Sequence, residues 1–164
     1  MFSLPQLVLR VLQFICVLIA LALVASAIDD QFFGNSSVNW AMFVAVFSMI
    51  VVFYGMAAAF VESLAQPMIL GAMDGLATLF NFIAGVVLAA RLGVHSCSNR
   101  GYLVSNGLTQ AMSGRCRELQ AATAFFWFAF ALFAASIAMD FMGGGSSMAR
   151  RSNVRKSAPT MSQV

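Results

Sequence analysis

An all-α integral membrane protein is the fold class this sequence predicts: a bundle of four bilayer-crossing helices followed by a disordered, basic C-terminal tail. Three observations carry that reading. Composition comes first, because 61% of the 164 residues are hydrophobic and 9% are charged, against roughly 45–50% and about 25% in soluble domains. A soluble chain of this size must keep much of its surface polar, whereas lipid accepts the excess. Second, the apolar residues fall into four runs of about 20, the length that spans a bilayer as a helix. Third, charge is almost confined to the connections, to the polar interval His95–Gln120 and to the tail.

The first run is Leu7–Ile28, with Arg10 inside its start and Asp29–Asp30 behind it. Ala25-Ser26-Ala27 resembles a signal-peptidase site, but the apolar stretch Val11–Val24 is at the upper limit of a signal h-region, and the segment is read as a retained helix. Cys16 lies in mid-membrane as a small buried hydrophobe. The following loop, Asp29–Asn39, is short and holds the glycosylation sequon Asn35-Ser36-Ser37, too close to the membrane for ready use.

Trp40–Val61 is the second run. Trp40 stands at its edge, where amphipathic rings favour the headgroup level. Ala41, Ala45, Ser48, Gly55 and Ala59 make a small-residue stripe for close helix packing. Glu62–Pro67 is a polar turn, with Pro67 suited to open a helix.

The third run, Met68–Ala90, carries Asp74, Thr78 and Asn81 on one helical face, and Gly71 with Gly75 forms a GxxxG pair. Asp74 lies about 10 Å beyond Pro67 at 1.5 Å per residue. An intramembrane carboxylate marks a functional site by default. It serves either a proton or ion pathway or a structural pairing, and Arg10, near the same membrane side, is a candidate partner.

Ala121–Met142 is the fourth run, crowded with Phe125, Phe126, Trp127, Phe128, Phe130, Phe133 and Phe141. Rings all around a helix cannot all face protein, so some face lipid. Flat surfaces beside Ala131, Ala135 and Ala138 suit ordered or sterol-rich lipid. Asp140 belongs at the interface. Residues 143–164 then read as a flexible tail, beginning with a Gly/Ser hinge at Gly143–Ser147. Arg150, Arg151, Arg155 and Lys156 fit either a stop signal or binding to the anionic inner leaflet, with Ser152 and Ser157 as candidate phosphorylation sites. Ser162-Gln163-Val164 is a candidate C-terminal recognition element.

Four spans put both termini on one side, read as the cytoplasm from the density of tail cations. Cys97 and Cys116 share one loop and enclose 18 residues. In an oxidising compartment a bridge between them would pin that loop, worth about 3 kcal/mol. Two cysteines and His95 are too few for a zinc site, and no cofactor is expected. Neither G-x-S-x-G, HExxH nor a P-loop occurs, so the chain is read as a non-enzyme. Nucleic-acid binding has no support beyond a tail that a membrane explains better.

His95-Ser96-Cys97-x-Asn99-x-x-Tyr102, Ser105-Asn106-x-x-Thr109-Gln110 and Arg115-Cys116-Arg117-x-x-Gln120-Ala121 resemble the fungal non-classical export protein 2 family, of the MARVEL class of four-helix membrane proteins. Pro159-Thr160-x-Ser162-Gln163-Val164 is similar to the family's ending. The resemblance implies a plasma-membrane protein of eisosome-associated domains, one that organises those domains, responds to sphingolipid status and influences export of proteins lacking signal sequences. It also implies homo-oligomers or eisosome components as partners, and a role for the tail, Arg150–Val164, in domain organisation. The competing reading is a small transporter or export conduit built on Asp74, Thr78 and Asn81.

Overall fold

The computed structural model describes residues 4–61, 64, 66–93 and 95–154, the last 12 of these as backbone alone. Helices α1 (Leu4–Asp29), α2 (Ser36–Phe60), α3 (Pro67–Leu92) and α5 (Ser113–Val154) are long; α4 (Arg100–Ser105) is a short turn of helix in the polar interval. All four long helices contain a stretch apolar enough to cross a membrane, and no strand occurs among the described residues.

Local chemistry sets the boundaries. Asn35 caps α2, its side-chain oxygen accepting the Ser37 N–H at 3.0 Å, which satisfies one of the donors a helix start leaves over. Ser37 is buried. The Asn35-Ser36-Ser37 sequon is therefore folded into a helix start. Pro67 opens α3, where its missing N–H costs nothing. Gly93 closes α3 at φ 60°, a conformation that glycine adopts without strain.

In the bundle α1 packs against α2 and α5, and α3 packs against the same two helices. The helices thus form a ring with α1 and α3 on one diagonal. Small residues line the interior: Ala20, Ala27, Ala41, Ala45, Ala77, Ala84, Ala122 and Ala129 are buried, with Phe126 and Phe133 filling the centre. Without a hydrophobic drive between helices in lipid, such close backbone approach supplies the packing. Ala41, Ala45, Ser48 and Gly55 of the α2 stripe are buried as expected, whereas Ala59 is only partly covered. Gly71 and Gly75 have no neighbour within 4 Å of where a side chain would begin, so the GxxxG pair makes no close helix contact among the described residues. Cys16 is half-buried rather than enclosed.

The outer surface is a belt of exposed apolar side chains, among them Ile15, Leu18, Phe43, Ile50, Phe53, Leu79, Phe82 and Phe128. So continuous an apolar surface is lipid-facing in a chain with these spans. Of the α5 rings, Phe126 and Phe133 are inside while Trp127, Phe128 and Phe141 are outside.

Two boundaries of α5 depart from the sequence reading. The helix begins at Ser113 instead of residue 121, because Arg115, Cys116 and Leu119 already form a buried face before the apolar run starts. It continues to Val154, so the expected hinge Gly143–Ser147 is helical backbone. Each glycine costs about 1 kcal/mol against alanine, but extending an existing helix adds a hydrogen bond per residue with no new nucleation. Residues 155–164, with Arg155, Lys156, Ser157, Ser162, Gln163 and Val164, lie outside the described residues.

Candidate functional site

The polar residues of the spans converge at the bundle end where α1 and α3 begin. Arg10, the seventh residue of α1, and Asp74, the eighth of α3, are fully buried. Starting at the same end and facing across the diagonal, they meet at the bundle axis, about 9 Å along α1 at 1.5 Å per residue. The contact is bidentate: Arg10 Nη1 donates to Asp74 Oδ1 at 2.8 Å and Nη2 to Oδ2 at 2.6 Å. The planar guanidinium fork suits this geometry, which a lysine ammonium would not reproduce.

Each of the other helices completes the layer. Gln13, one turn along α1, accepts from Arg10 Nη1 at 3.1 Å and donates to the Leu132 carbonyl of α5 at 3.2 Å. Ser136 of α5 donates to Asp74 Oδ2 at 3.3 Å. From α2, Gly55 supplies space, since a Cβ there would stand 2.7 Å from Arg10 Cζ and Nε. Near the end of the apolar part of α5, Asp140 accepts a hydrogen bond from Gln6 of α1. The Asp140 side chain is thus tied to α1.

The stripe of Asp74, Thr78 and Asn81 does not act as one line of exchangeable groups. Thr78 turns back onto its own helix, donating to the Asp74 carbonyl at 2.7 Å. Asn81 donates to Ser48 of α2 and to the Ala77 carbonyl, both at 2.7 Å. Only Asp74 belongs to the central layer. The Arg10 partnership was legible as a candidate; Gln13, Ser136 and Gly55 were missed. Gln13 had a signal, being polar within an apolar run and three residues from Arg10, hence on its face. Nothing local distinguishes Ser136 or Gly55 from ordinary small packing residues.

The opposite end is held by the polar interval. Cys97 and Cys116 are joined, their Cα atoms 5.7 Å apart. Asn99 caps α4 through the N–H groups of Gly101 and Tyr102. Tyr102 stacks flat on His95 at 4.6 Å between ring centres and donates its hydroxyl to the Leu92 carbonyl at the end of α3. Asn106 donates to the Arg91 carbonyl at 2.9 Å, and Gln120 to that of His95 at 3.1 Å. Buried Arg115 donates to the carbonyls of Leu108 and Ala27, the latter at the end of α1. Cations stabilise helix C-termini, where carbonyls lack partners. These loop residues act as caps and clamps.

Replacing both Cys97 and Cys116 with alanine should lower stability by about 3 kcal/mol, the loop-closure value for a ring of this size. Comparing unfolding of the oxidised chain and the double variant in detergent checks this; a loss below about 1 kcal/mol would mean that the hydrogen bonds alone hold the loop.

Arg150, Arg151 and Ser152 lie on the α5 backbone beyond the apolar run. No cluster of three or more His, Cys, Asp or Glu side chains able to hold a metal occurs among the described residues.

Residues 2–139 match the family model of MARVEL, the membrane-associating domain. The chain belongs to the MARVEL family. Within that family this MARVEL protein is similar to non-classical export protein 2 of Saccharomyces cerevisiae, 37% identical with all of both chains covered. It is also 39% identical to non-classical export protein 102 of Candida albicans, again over the full length of both. A more distant relative, the non-classical export protein 2 homolog of Schizosaccharomyces pombe, is 32% identical over 79% of this chain and 72% of its own. No solved structure matches. The expectations of a four-helix membrane bundle and of kinship with non-classical export protein 2 are both met.

Proposed function

We propose that this MARVEL protein is a non-enzymatic organiser of the plasma membrane, helping to form or maintain eisosome-associated domains and responding to sphingolipid status. Any influence on export of leaderless proteins then follows from membrane organisation. Its multi-pass membrane character and its kinship with proteins named for non-classical export form the base of this reading. The observation that carries it further is the direction of the polar groups: Arg10, Gln13, Asp74, Asn81 and Ser136 are all buried and bonded to one another or to backbone. The surface left to the acyl chains is dominated by the apolar and aromatic belt. A bundle so arranged acts through what it packs beside.

The conduit reading needs a carboxylate free to exchange a proton or ion. Both Asp74 oxygens are bonded to Arg10, and Ser136 adds a third donor. In the organiser reading both termini face the cytoplasm, the tail cations from Arg150 to Lys156 contact the anionic inner leaflet, and the partners are further copies of the chain or eisosome components in sterol- or sphingolipid-rich membrane.

Live imaging of an internally tagged copy tests it, with the tail intact or deleted from Gly145, before and after sphingolipid synthesis is blocked. Stable surface patches that disperse on depletion, and that fail to organise without the tail, are expected. A uniform signal indifferent to both treatments sinks the reading.

A further inference from the structure

The α1–α2 turn presents Phe32 and Phe33 at 75% and 78% exposure, beyond the transmembrane belt proper. The backbone that carries them is held from across the loop. Gln110 accepts from the Phe32 N–H at 2.7 Å and the Phe33 N–H at 3.4 Å, and donates to the Phe33 carbonyl at 2.8 Å. One side-chain amide thus occupies the turn's backbone as a neighbouring strand would.

The clamp is itself fixed. Gln110 and Ala111 have φ of 48° and 64°, the left-handed region that non-glycine residues seldom enter and that persists only where surroundings over-determine it. Here the Ala111 N–H donates to the Leu103 carbonyl at 2.9 Å, Thr109 donates to the same carbonyl at 2.8 Å, and the Cys97–Cys116 bridge closes the loop behind them. A disulfide-closed loop therefore holds the backbone that carries two adjacent exposed rings.

Helix length says what surrounds the rings. The 26 residues of α1 measure about 39 Å at 1.5 Å per residue, against a hydrocarbon core of about 30 Å. Centred, α1 overhangs by about 4–5 Å at each end, which places Asp29 in the headgroup layer. Phe32 and Phe33 follow three and four residues later in a turn that joins neighbouring helices, on the bundle's perimeter. They stand in the turn that leads into α2, whose Phe43, Val46, Ile50 and Phe53 are exposed to lipid further along the helix. Trp and Tyr gather at this boundary because their rings pair an apolar body with a polar group. In this turn the rings of Phe32 and Phe33 supply the apolar body and the exposed turn backbone supplies the polar groups.

We infer that Phe32 and Phe33 form an interfacial anchor, inserted at the headgroup–acyl boundary of the leaflet on the disulfide side and positioned there by Gln110. The inference is independent of the organiser reading. It gives the disulfide loop a membrane-directed role: fixing how deep the bundle sits in that leaflet.

Depth-dependent fluorescence tests it on the full chain with its disulfide intact. A single indole is placed by Phe33→Trp in a Trp40→Phe, Trp127→Phe background, and the protein is reconstituted in phosphatidylcholine brominated near either end of its acyl chains. Ile50→Trp in the same background is the mid-membrane reference. The expected result is blue-shifted emission from the Phe33→Trp protein, quenched about twofold more by bromine near the carboxyl end than near the methyl end, with the order reversed for Ile50→Trp. Adding Gln110→Ala should reduce the shallow quenching by about half as the turn loosens. Emission at the wavelength of hydrated indole, quenched by aqueous iodide and not by bromine, overturns the proposal. So does blue emission that vanishes in nanodiscs holding one copy, which assigns the rings to a second chain. Should the Phe33→Trp protein lose its disulfide or helical circular dichroism, Phe32→Trp reports on the same question.

Discussion

Asp74→Asn should destabilise the purified full chain by about 3–5 kcal/mol, the usual cost of removing one partner from a buried ion pair. The reason lies on the other side of the contact. A guanidinium stays charged in proteins, and Arg10 is enclosed by four helices with its Nε already unpartnered. Asparagine keeps the size of the aspartate but returns no charge. Arg10→Met alone should cost a comparable amount, because Asp74 would be left with Ser136 as its one side-chain donor. Replacing both, Arg10→Met with Asp74→Leu, should recover most of the loss, since an apolar pair of similar volume is often neutral or better in such a site. Unfolding of the three variants in one detergent reads this directly. If Asp74→Asn loses less than about 1 kcal/mol, Arg10 reaches water by snorkelling to the nearby bundle end. An equally small loss in Arg10→Met would mean that Asp74 finds water or a donor other than Arg10; in either case the ion pair is not closed.

That expectation changes how a transport reading is tested. Loss of flux in an Asp74→Asn protein would not distinguish a missing proton carrier from a damaged bundle. The double apolar variant does, because it removes the titratable group and the stranded charge together. An organiser keeps its localisation in that variant; a proton-coupled conduit does not conduct. The same pairing bears on α1. Cleavage after Ala27 would remove Arg10 and Gln13 and leave Asp74 buried without its partner.

What was legible in the sequence was whatever depends on length and local pattern. Four apolar runs of spanning length are sufficient to predict four helices, since lipid allows the backbone few alternatives. Asp74 stood out because a carboxylate in such a run is costly, and Arg10 because it was the cation within reach. The start of α5 was not legible, because Arg115, Arg117, Glu118 and Gln120 interrupt any hydropathy window even though Arg115, Cys116 and Leu119 share a buried face. Nor was the use of the polar interval. Its asparagines, glutamines and arginines resemble an exposed loop by composition, and only the fold shows them bonded to the ends of α1 and α3 and to the α1–α2 turn. The stripe on α3 shares a face by its spacing, yet a face does not fix partners: Thr78 bonds to its own helix.

Gly55 is the position where a change that looks harmless should match the loss of the charge itself. In isolation Gly55→Val raises helix propensity and adds an apolar side chain to a membrane span, both favourable. In the bundle its Cβ would begin 2.7 Å from Arg10 Cζ and Nε and 3.0 Å from Nη1, well inside van der Waals contact. A free arginine would swing aside at little cost. This one is locked by two bonds to Asp74 and one to Gln13, so yielding means breaking the pair, at about 3–5 kcal/mol. The effect should therefore be conditional. In the Arg10→Met, Asp74→Leu background, where the methionine can rearrange, Gly55→Val should cost no more than ordinary overpacking, about 1–3 kcal/mol. A double-mutant cycle measures the difference as coupling between sites on α1, α2 and α3. Full additivity, with the same penalty in both backgrounds, would show that the glycine serves helix approach in general and not the guanidinium. Coupling would show instead that α2 contributes to the polar layer by the absence of a side chain, a role that no reading of polar residues along the chain can reveal.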